Sequence, residues 1–333
     1  MSKPIRIIQF GLGAIGRATA QLASTKPNMQ LVGAVDLNPN MVGRDLGDVL
    51  ESGKKLGVNV SDKPAVLFGQ TQAAAVLHCT CSSFLEAYEQ IVEIVRAGFH
   101  CVTSCEEAMF PWYRYPKLAA KLDDLCITKE VVVVGTGVNP GFVMDTLALA
   151  LTGACQRVDT IRVTRVVDVA TRREALQRKV GVGLTEGEFR KLAEDKKIRH
   201  VGLTESLAFL GDGLGWNLED INEDIGPVIA DKPLKTKFFS VKPGDVAGVR
   251  QTARGVSGGK ERLRLELQMV VDATNPRDEI DIAGEPPLKL VLQGGVAGDV
   301  ATPALLVNTL ARVVEARPGL HTMRTLGLPR IVS

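Results

Sequence analysis

Two adjacent acids, Glu106 and Glu107, follow an apolar run that ends at Ser104. Paired carboxyl groups at a strand end repel each other and are partly desolvated, so one of them can exchange protons near neutral pH. A carboxyl group of this kind is suited to general acid–base catalysis. The alternative is that both acids only begin a helix, where negative charge complements the helix dipole. The spacing alone leaves both interpretations open.

A glycine-rich segment near the start of the chain is the second feature with chemical meaning. It reads Gly11-Leu12-Gly13-Ala14-Ile15-Gly16, and it lies between an apolar run at residues 5–10 and a helical stretch at residues 17–24. The first glycine permits a tight turn, the second lets the backbone approach a pyrophosphate, and the third lets the helix pack on the strand. The order of strand, glycine loop and helix predicts a dinucleotide site rather than an unrelated glycine-rich turn.

The residues that would select the cofactor follow further along the chain. A second apolar run, residues 31–35, ends at Asp36, about 20 residues after the glycine loop. A carboxylate there binds ribose hydroxyls and repels a 2′-phosphate, which favours NAD over NADP, whereas Arg44 could offset that charge. Thr80 and Ser82 follow another apolar run, and their hydroxyl groups suit a cofactor ribose or phosphate.

The pattern of apolar runs predicts how these residues are positioned. Over the first 135 residues, short apolar runs alternate with amphipathic helical stretches, which is typical of a doubly wound parallel sheet, the Rossmann α/β fold. The predicted strands are residues 5–10, 31–35, 65–68, 74–79, 101–104 and 131–135, and the later helices are residues 83–97 and 113–127. Three loops, residues 80–83, 105–107 and 137–142, should therefore meet at the carboxyl edge of the sheet.

The pattern changes after residue 136, where a second α+β domain with a mixed or antiparallel sheet is predicted. Apolar residues (three leucines and Met269) alternate with charged or polar residues over residues 262–269, as in a strand with one wet face, and residues 257–260 suit a hairpin turn. Thr185 and Glu188 form a capping-box pattern for a helix at residues 186–196. The further predicted elements are a helix at residues 143–151 and strands at 157–167, 246–256, 279–282 and 288–292.

A last helix, residues 301–316, is expected to pack back on the first domain. We therefore predict a dinucleotide-binding domain of residues 1–136 and 300–333 and a second domain of residues 137–299.

Composition limits the partners and the compartment. The 333 residues carry 40 Lys and Arg against 38 Asp and Glu, which gives no electrostatic reason to expect binding to nucleic acid or to a membrane. No apolar run is long enough to span a bilayer, and the first residues lead directly into a strand, so we expect a cytoplasmic protein. The spacings of the six cysteines do not match a zinc site, and no metal is expected. We interpret the cysteines as small buried residues in a reducing compartment.

Histidine is less informative in this sequence. His78 and His100 lie at strand ends and are interpreted as structural, and a lone His200 is more often structural than catalytic.

Seven segments together carry a family resemblance that spans nearly the whole chain. The sequence resembles the 2,4-diaminopentanoate dehydrogenases and the related native amine dehydrogenases, within the wider dihydrodipicolinate-reductase-like group. The pair EE-x-x-x-P and NPGF-x-MD is the most specific part of the resemblance. The matching segments are GLGAIG, AVDLNPNMVGRDLGDV, TSCEEAMFP, GTGVNPGFVMDTLALALTG, KVGVGLTEGEF, RHVGLTES and NTLARVVEARPGLHTM.

The resemblance implies an NAD(P)-dependent oxidative deamination of a primary amine to a ketone and ammonia, or the reverse reductive amination. It implies that a glutamate of the Glu106/Glu107 pair is the acid/base, and Glu106 is favoured because it lies nearer the strand end. By motif position, Asn139 and Phe142 would line the substrate pocket, with Asp168, His200 and Thr204 from the second domain. The resemblance also implies a homodimer, paired through the second domain, which would bind substrate as well.

Two departures restrict the choice of reaction. The paired-histidine motif and the lysine signature of true dihydrodipicolinate reductases are absent, and Glu106-Glu107-Ala108 replaces the Glu-Lys-Pro motif of similar sugar dehydrogenases. The alternatives to an amine dehydrogenase are a related reductase of another imine or carbonyl substrate, and a dinucleotide-binding sensor without chemistry. The amine remains open among a diamine, an amino-acid-like amine and a simple alkyl amine.

Overall fold

The computed structural model describes residues 4–331, which form two compact units. The first unit comprises the described residues up to Phe142 and from Ala297 onward, and the second is Val143–Val296. The domain boundaries expected from the sequence, and the role assigned to each domain, stay predictions.

The first unit is built on parallel strands that alternate with helices. Its strands before residue 143 are β1 (Ile5–Phe10), β2 (Met29–Val35), β3 (Val60–Ser61), β4 (Ala75–His78), β5 (His100–Thr103) and β6 (Val132–Gly135). Its helices there are α1 (Ala14–Ser24), α2 (Leu46–Val49), α3 (Pro64–Gln70), α4 (Phe84–Arg96) and α5 (Pro116–Thr128), with a short 3-10 helix at Glu106–Met109.

Helix α4 shows why these segments fold as they do. Glu86 lies in its first turn and Arg96 in its last, so both charges complement the helix dipole. Gly98, at φ +82°, ends the helix in a Schellman motif. In this motif the Gly98 N–H bonds to the Val95 carbonyl at 2.9 Å and the Phe99 N–H bonds to the Ile94 carbonyl at 3.3 Å. The buried face of α4 packs into the apolar core on one side of the sheet.

One predicted strand of this unit is wrong. Residues 65–68 lie in α3, which begins with Pro64 in its first turn. Proline is favoured at that position because its fixed φ suits a helix and its missing N–H is not needed there. A four-residue apolar run has no periodicity that separates a strand from a helix, and the third strand is in fact the two-residue β3.

The second unit contains a six-stranded mixed sheet in the order β14-β13-β7-β12-β11-β8, in which only β7 and β12 are parallel neighbours. The strands of this sheet are β7 (Arg157–Asp168), β8 (Asp220–Ile229), β11 (Val246–Ser257), β12 (Lys260–Val270), β13 (Arg277–Glu285) and β14 (Leu288–Gln293). A separate antiparallel pair is formed by β9 (Leu234–Lys235) and β10 (Ser240–Val241). Its helices are α6 (Thr146–Leu151), α7 (Glu174–Lys179), α8 (Glu186–Glu194) and α9 (Leu203–Gly213), and a 3-10 helix covers Thr152–Ala154.

Two local predictions for this unit are confirmed. The β11–β12 hairpin turns through Gly258 and Gly259, at φ +61° and +70°, with Ser257 opposite Lys260. Both glycines adopt the left-handed conformation that a two-residue turn of this kind requires. The capping box of α8 is present, because Glu188 accepts the Thr185 N–H at 2.9 Å while the Thr185 hydroxyl accepts the Glu188 N–H at 3.3 Å.

The chain then returns to the first unit with α10 (Gly298–Val313), β15 (Gly319–His321) and α11 (Met323–Leu326). Strand β15 pairs in parallel with β6, so the sheet has seven strands in the order β15-β6-β5-β4-β1-β2-β3. Helix α10 packs on α1 and on the central strands. The doubly wound fold predicted from the sequence is thus confirmed. Within residues 4–331, no helix has the length and apolar character needed to cross a bilayer.

Candidate active site

The three glycines of the glycine-rich segment, two in the loop between β1 and α1 and Gly16 in the first turn of α1, have different surroundings. A Cβ on Gly11, which has φ +87°, would lie 2.3 Å from the Cys79 carbonyl oxygen, and a Cβ on Gly16 would lie 1.9 Å from the Gly11 carbonyl oxygen. No atom of the described chain lies within 4 Å of the place where a Cβ on Gly13 would project. Gly11 and Gly16 therefore serve packing, whereas Gly13 leaves open space at the start of α1, where a pyrophosphate fits.

Asp36 is held beside this loop by main-chain hydrogen bonds. Its Oδ2 accepts the Leu12 N–H at 2.6 Å, and its Oδ1 accepts the Asn38 N–H at 2.8 Å. These bonds fix the carboxylate at the carboxyl end of β2, the position at which dinucleotide folds bind the adenosine ribose. Arg44 is exposed in the loop that follows, and its Nη1 donates to the Asn40 carbonyl at 3.2 Å.

The loop after β4 is braced by a buried histidine. His78 Nδ1 lies 2.8 Å from the Thr103 hydroxyl, and its Nε2 lies 2.8 Å from Gln90 Oε1 and 3.0 Å from the Thr80 hydroxyl. Thr80 also donates to Gln90 Oε1 at 2.8 Å. Burial lowers the pKa of His78 to about 4, so the ring is neutral at physiological pH. The interpretation of His78 as structural is confirmed by this placement, and the exposed Thr80 is fixed at the sheet edge.

Glu107 is almost fully buried, with 6% of its surface exposed. Its Oε2 accepts the Phe84 N–H at 2.9 Å and the Tyr115 hydroxyl at 3.2 Å. Its own N–H donates to the Ser82 carbonyl at 3.2 Å. The structure thus brings Ser82 and Glu107 together and directs the Glu107 carboxylate towards the start of α4.

Glu106 differs from its neighbour, since it is only half-buried at the start of the 3-10 helix. Burial raises the pKa of the thiols of Cys79, Cys81 and Cys105, and the charge of nearby Glu106 contributes further to each shift. Glu106 therefore lies close to the carboxyl ends of both β4 and β5. A partly exposed carboxylate in this position is suited to exchange protons with a ligand.

The cysteines are free, as the sequence analysis expected. The buried Cys105 donates from its Sγ to the Ser82 carbonyl at 3.3 Å, so it helps to join two loops. Since burial holds its pKa well above the ordinary value, Cys105 is a thiol rather than a nucleophilic thiolate.

The loop after β6 completes the carboxyl edge of the sheet. A Cβ on Gly135 would lie 2.4 Å from the Ala108 main chain. Because glycine has no Cβ, the 3-10 helix can pack closely on β6. Asn139 is 7% exposed, and neither polar atom of its carboxamide has a hydrogen-bond partner within residues 4–331. An unpartnered buried amide costs about 1–3 kcal/mol. Asn139 is therefore suited to pair with a bound ligand, and Phe142 is a half-buried ring in the same loop.

The three site residues predicted in the second unit have different surroundings. Asp168 Oδ1 accepts the Ala170 N–H at 2.9 Å and the Asp272 N–H at 3.1 Å, so it stabilises a turn. Thr204, in the first turn of α9, donates to Glu205 Oε2 at 3.0 Å. Their role in substrate binding stays a prediction.

His200 is fixed by its main chain, whose N–H and carbonyl each bond to the Gln251 side chain at 2.8 Å. Its Nδ1 has no hydrogen-bond partner in the described part of the chain. Burial, with the positive charges of Lys179 and Arg165, lowers the pKa of His200 to about 3.

Sequence reasoning missed the residues that hold this site together. Gln90 and Tyr115 carry no motif and lie on or beside ordinary amphipathic helices. Their contacts arise only because α4 and α5 each begin near the carboxyl edge of the sheet. A polar side chain at the start or within the first two turns of a helix that begins at such an edge is the one available signal, and it is weak.

Comparison with known proteins agrees with this geometry. The profile of the 2,4-diaminopentanoate dehydrogenase C-terminal domain matches residues 142–333, and that of the dihydrodipicolinate reductase N-terminus matches residues 5–102. The 2,4-diaminopentanoate dehydrogenase of Acetoanaerobium sticklandii is 31% identical, over 98% of this chain and 95% of the relative. An amine dehydrogenase of Streptomyces virginiae is 23% identical, over 95% of this chain and 94% of the relative.

A solved structure of an amine dehydrogenase is also similar to this chain. The amine dehydrogenase from Mycobacterium smegmatis superposes with a TM-score of 0.86 at 29% identity, over 99% of this chain and 97% of that one. With these matches and a glycine loop that fits a dinucleotide, the chain belongs to the 2,4-diaminopentanoate dehydrogenase family and is an NAD(P)-dependent oxidoreductase.

Proposed function

We propose that this enzyme catalyses the oxidative deamination of a primary amine to a ketone and ammonia, and the reverse reductive amination. The observation that carries the proposal is the placement of Glu106. It is a half-buried carboxylate at the carboxyl edge of a sheet whose first loop fits a dinucleotide. The activities named for the relatives support the same reaction.

The reaction converts an alkylammonium ion, oxidised cofactor and water into a ketone, ammonium, reduced cofactor and a proton. The dinucleotide, when bound, accepts a hydride from the carbon that carries the nitrogen. Glu106 first takes a proton from the substrate ammonium and releases it to solvent, and the negative charge that this restores then stabilises the iminium ion. It accepts a proton from the water that adds to the iminium carbon, and it returns that proton to the nitrogen as ammonia leaves.

The substrate contacts that we propose begin with Asn139 and Phe142. The carboxamide of Asn139 offers both a donor and an acceptor to a polar group of the substrate, and Phe142 offers an apolar surface. The relative named 2,4-diaminopentanoate dehydrogenase has, by its name, a substrate that carries a carboxylate, so we propose that the substrate of this enzyme resembles 2,4-diaminopentanoate more than a simple alkyl amine.

For the cofactor we propose a preference for NAD. Asp36 lies where a 2′-phosphate would be repelled, and Arg44 is committed to the Asn40 carbonyl in this structure. The six free cysteines fit a reducing compartment, which supports a cytoplasmic location.

We also propose a homodimer. One face of the second unit's sheet carries a polar row in which Arg264 pairs with Glu266 at 2.6 Å and Arg277 with Glu279 at 2.7 Å. These side chains are partly covered and self-complementary in charge, which suits a two-fold contact between identical chains. Light scattering after size-exclusion chromatography measures the assembly, and a monomer at micromolar concentration would contradict this proposal.

An absorbance assay at the wavelength of the reduced nicotinamide tests the proposed reaction. We expect reduced cofactor to form with 2,4-diaminopentanoate and NAD, and to be consumed with ammonium and 4-oxopentanoate, an analogue of the ketone product that lacks its 2-amino group. Omission of ammonium should abolish the reverse reaction. Turnover that does not depend on an amine or on ammonium, or no turnover at all with bound reduced cofactor, would contradict the proposal.

A further inference from the structure

The two adjacent glutamates have different surroundings, and the difference suggests different roles. The carboxylate of Glu107 receives hydrogen bonds from two donors of the protein itself, the Phe84 N–H and the Tyr115 hydroxyl. Glu106 is half-buried beside three thiols. The Glu107 carboxylate therefore holds two elements together. Glu106 is more exposed and lies where a ligand can reach it.

The bond from Phe84 to Glu107 occurs at a helix terminus that needs an acceptor. Ser83 is the N-cap residue of α4, and its side chain makes no capping hydrogen bond. Glu107 Oε2 accepts the first N–H of the helix at 2.9 Å from a position 23 residues along the chain. A carboxylate at this position also interacts favourably with the positive end of the helix dipole. Glu107 thus acts as a distant cap for α4.

The loop after β4 and the loop after β5 are also joined by hydrogen bonds in which residues of the second loop are the donors. The Ser82 carbonyl, just before α4, accepts the Glu107 N–H at 3.2 Å and the Cys105 thiol at 3.3 Å. Glu106 lies between these two donors in the sequence. The side chain of the residue before Glu106 and the main-chain N–H of the residue after it are therefore bonded to one carbonyl group of the loop that follows β4.

Tyr115 attaches a third element to this arrangement. It is the N-cap residue of α5, its hydroxyl donates to Glu107 at 3.2 Å, and its ring packs on Phe84 with centroids 5.7 Å apart. Tyr88 packs on the same Phe84 ring at 5.6 Å, but no hydrogen bond from it to Glu107 is found in the described chain. Tyr88 therefore offers a matched control for the hydroxyl of Tyr115.

We infer that Glu107 and Tyr115 are positioning residues that hold the Glu106 turn against the loop after β4, and that Glu107 is not the acid/base. The inference rests on the proposed role of Glu106 in amine oxidation. A displacement of a reacting group by about 1 Å can cost about 100-fold in rate, so the loss of these bonds should slow the reaction.

The test compares four variants with the unaltered enzyme. Glu107→Ala should lower kcat about 10- to 100-fold, whereas Glu107→Gln should keep kcat within about threefold because its amide oxygen still accepts the Phe84 N–H. Tyr115→Phe should lower kcat about three- to tenfold, since one partly buried hydrogen bond is lost, and Tyr88→Phe should leave it unchanged. The dissociation constant for NADH, measured by fluorescence, should change less than kcat in every case.

Two further readouts separate positioning from a loss of folded protein. With an α-deuterated amine, we expect the isotope effect on kcat to fall in Glu107→Ala and Tyr115→Phe, because the proton steps and not hydride transfer become slower. Partial unfolding would reduce kcat with an unchanged isotope effect and would contradict the inference. At low pH, kcat/KM falls as the acid/base becomes protonated. This acid limb of the pH profile should persist in both Glu107 variants.

The inference and the proposed function fail in different ways. If Glu107→Gln loses activity and the acid limb while Glu106→Gln keeps both, Glu107 is the acid/base and the inference is wrong, although an amine dehydrogenase remains. If the unaltered enzyme shows no amine-dependent turnover, the proposed function fails. If Glu107→Ala does not fold, the comparison of Tyr115→Phe with Tyr88→Phe decides, and equal kcat values in these two variants would overturn the inference.

Discussion

The carboxylate of Asp36 accepts the Leu12 N–H at 2.6 Å, so the residue that we propose selects the cofactor is bonded to the glycine loop. Asp36→Asn keeps an acceptor for this N–H but removes the negative charge. We expect the ratio of kcat/KM for NADP to that for NAD to rise about tenfold or more, since the 2′-phosphate is no longer repelled. Arg44→Ala should change the ratio little, because the Arg44 side chain donates to the Asn40 carbonyl. An unchanged ratio in Asp36→Asn would show that this carboxylate does not select the cofactor.

The glycine loop allows cofactor binding and folding to be separated. A methyl group on Gly13 meets open space, so Gly13→Ala should leave the unfolding temperature nearly unchanged while KM for the cofactor rises about tenfold or more. A methyl group on Gly16 would lie 1.9 Å from a main-chain oxygen. Gly16→Ala should therefore lower the free energy of unfolding by about 1–3 kcal/mol. Calorimetry together with cofactor titration measures both effects, and equal destabilisation by the two variants would contradict the assignment.

His78 should make the stability of the protein depend on pH. Its folded pKa of about 4 lies below the ordinary value of 6.5, so the folded state binds fewer protons than the unfolded state between these pH values. The contribution to the free energy of unfolding is complete above pH 6.5 and is lost as the pH falls towards 4. From pH 7 to pH 5 the loss due to His78 is about 2 kcal/mol.

Urea unfolding of the unaltered protein and of His78→Gln, each at pH 7 and pH 5, measures this loss. The variant should lose less stability over the same interval, because Gln does not titrate. Identical losses would show that His78 is not the buried neutral group described above. His200, with a folded pKa of about 3, acts in the same direction in both proteins and cancels in the comparison.

Asn139 should matter for activity but not for stability. Its carboxamide makes no hydrogen bond within residues 4–331, so Asn139→Leu removes a buried unpaired group. Such a replacement is nearly neutral or stabilising by about 1 kcal/mol. The KM for the amine should rise about tenfold or more, since one polar contact with the substrate is lost. A stability loss without a change in KM would indicate a structural role for this side chain.

The sequence predicts those parts of the fold that depend on local patterns. The glycine loop, the alternation over β12 and the capping box of α8 each need only a few neighbouring residues, and each is found. The predicted strand at residues 65–68 is wrong because a short apolar run fits a helix and a strand equally well. Strand β8 contains Gly226 and Pro227 and is acidic, so an edge strand with weak propensity was missed.

The site is predictable to a smaller extent. Asp36, Thr80 and Glu106 could be placed at the carboxyl edge of the sheet because that edge follows from strand order. The strand β15, the bond from Tyr115 to Glu107 and the network of His78 with Gln90 depend on which elements lie side by side. Such contacts between distant residues have no local signature in a single sequence.

The most direct test of the account is the rate of reduced-cofactor formation by Glu106→Gln with 2,4-diaminopentanoate and NAD. The substitution keeps the size of the side chain but removes the group that exchanges protons. We expect the rate to fall about 100- to 10,000-fold, with the dissociation constant for NADH and the unfolding temperature unchanged. A Glu106→Gln variant that retains most of its turnover would contradict the account.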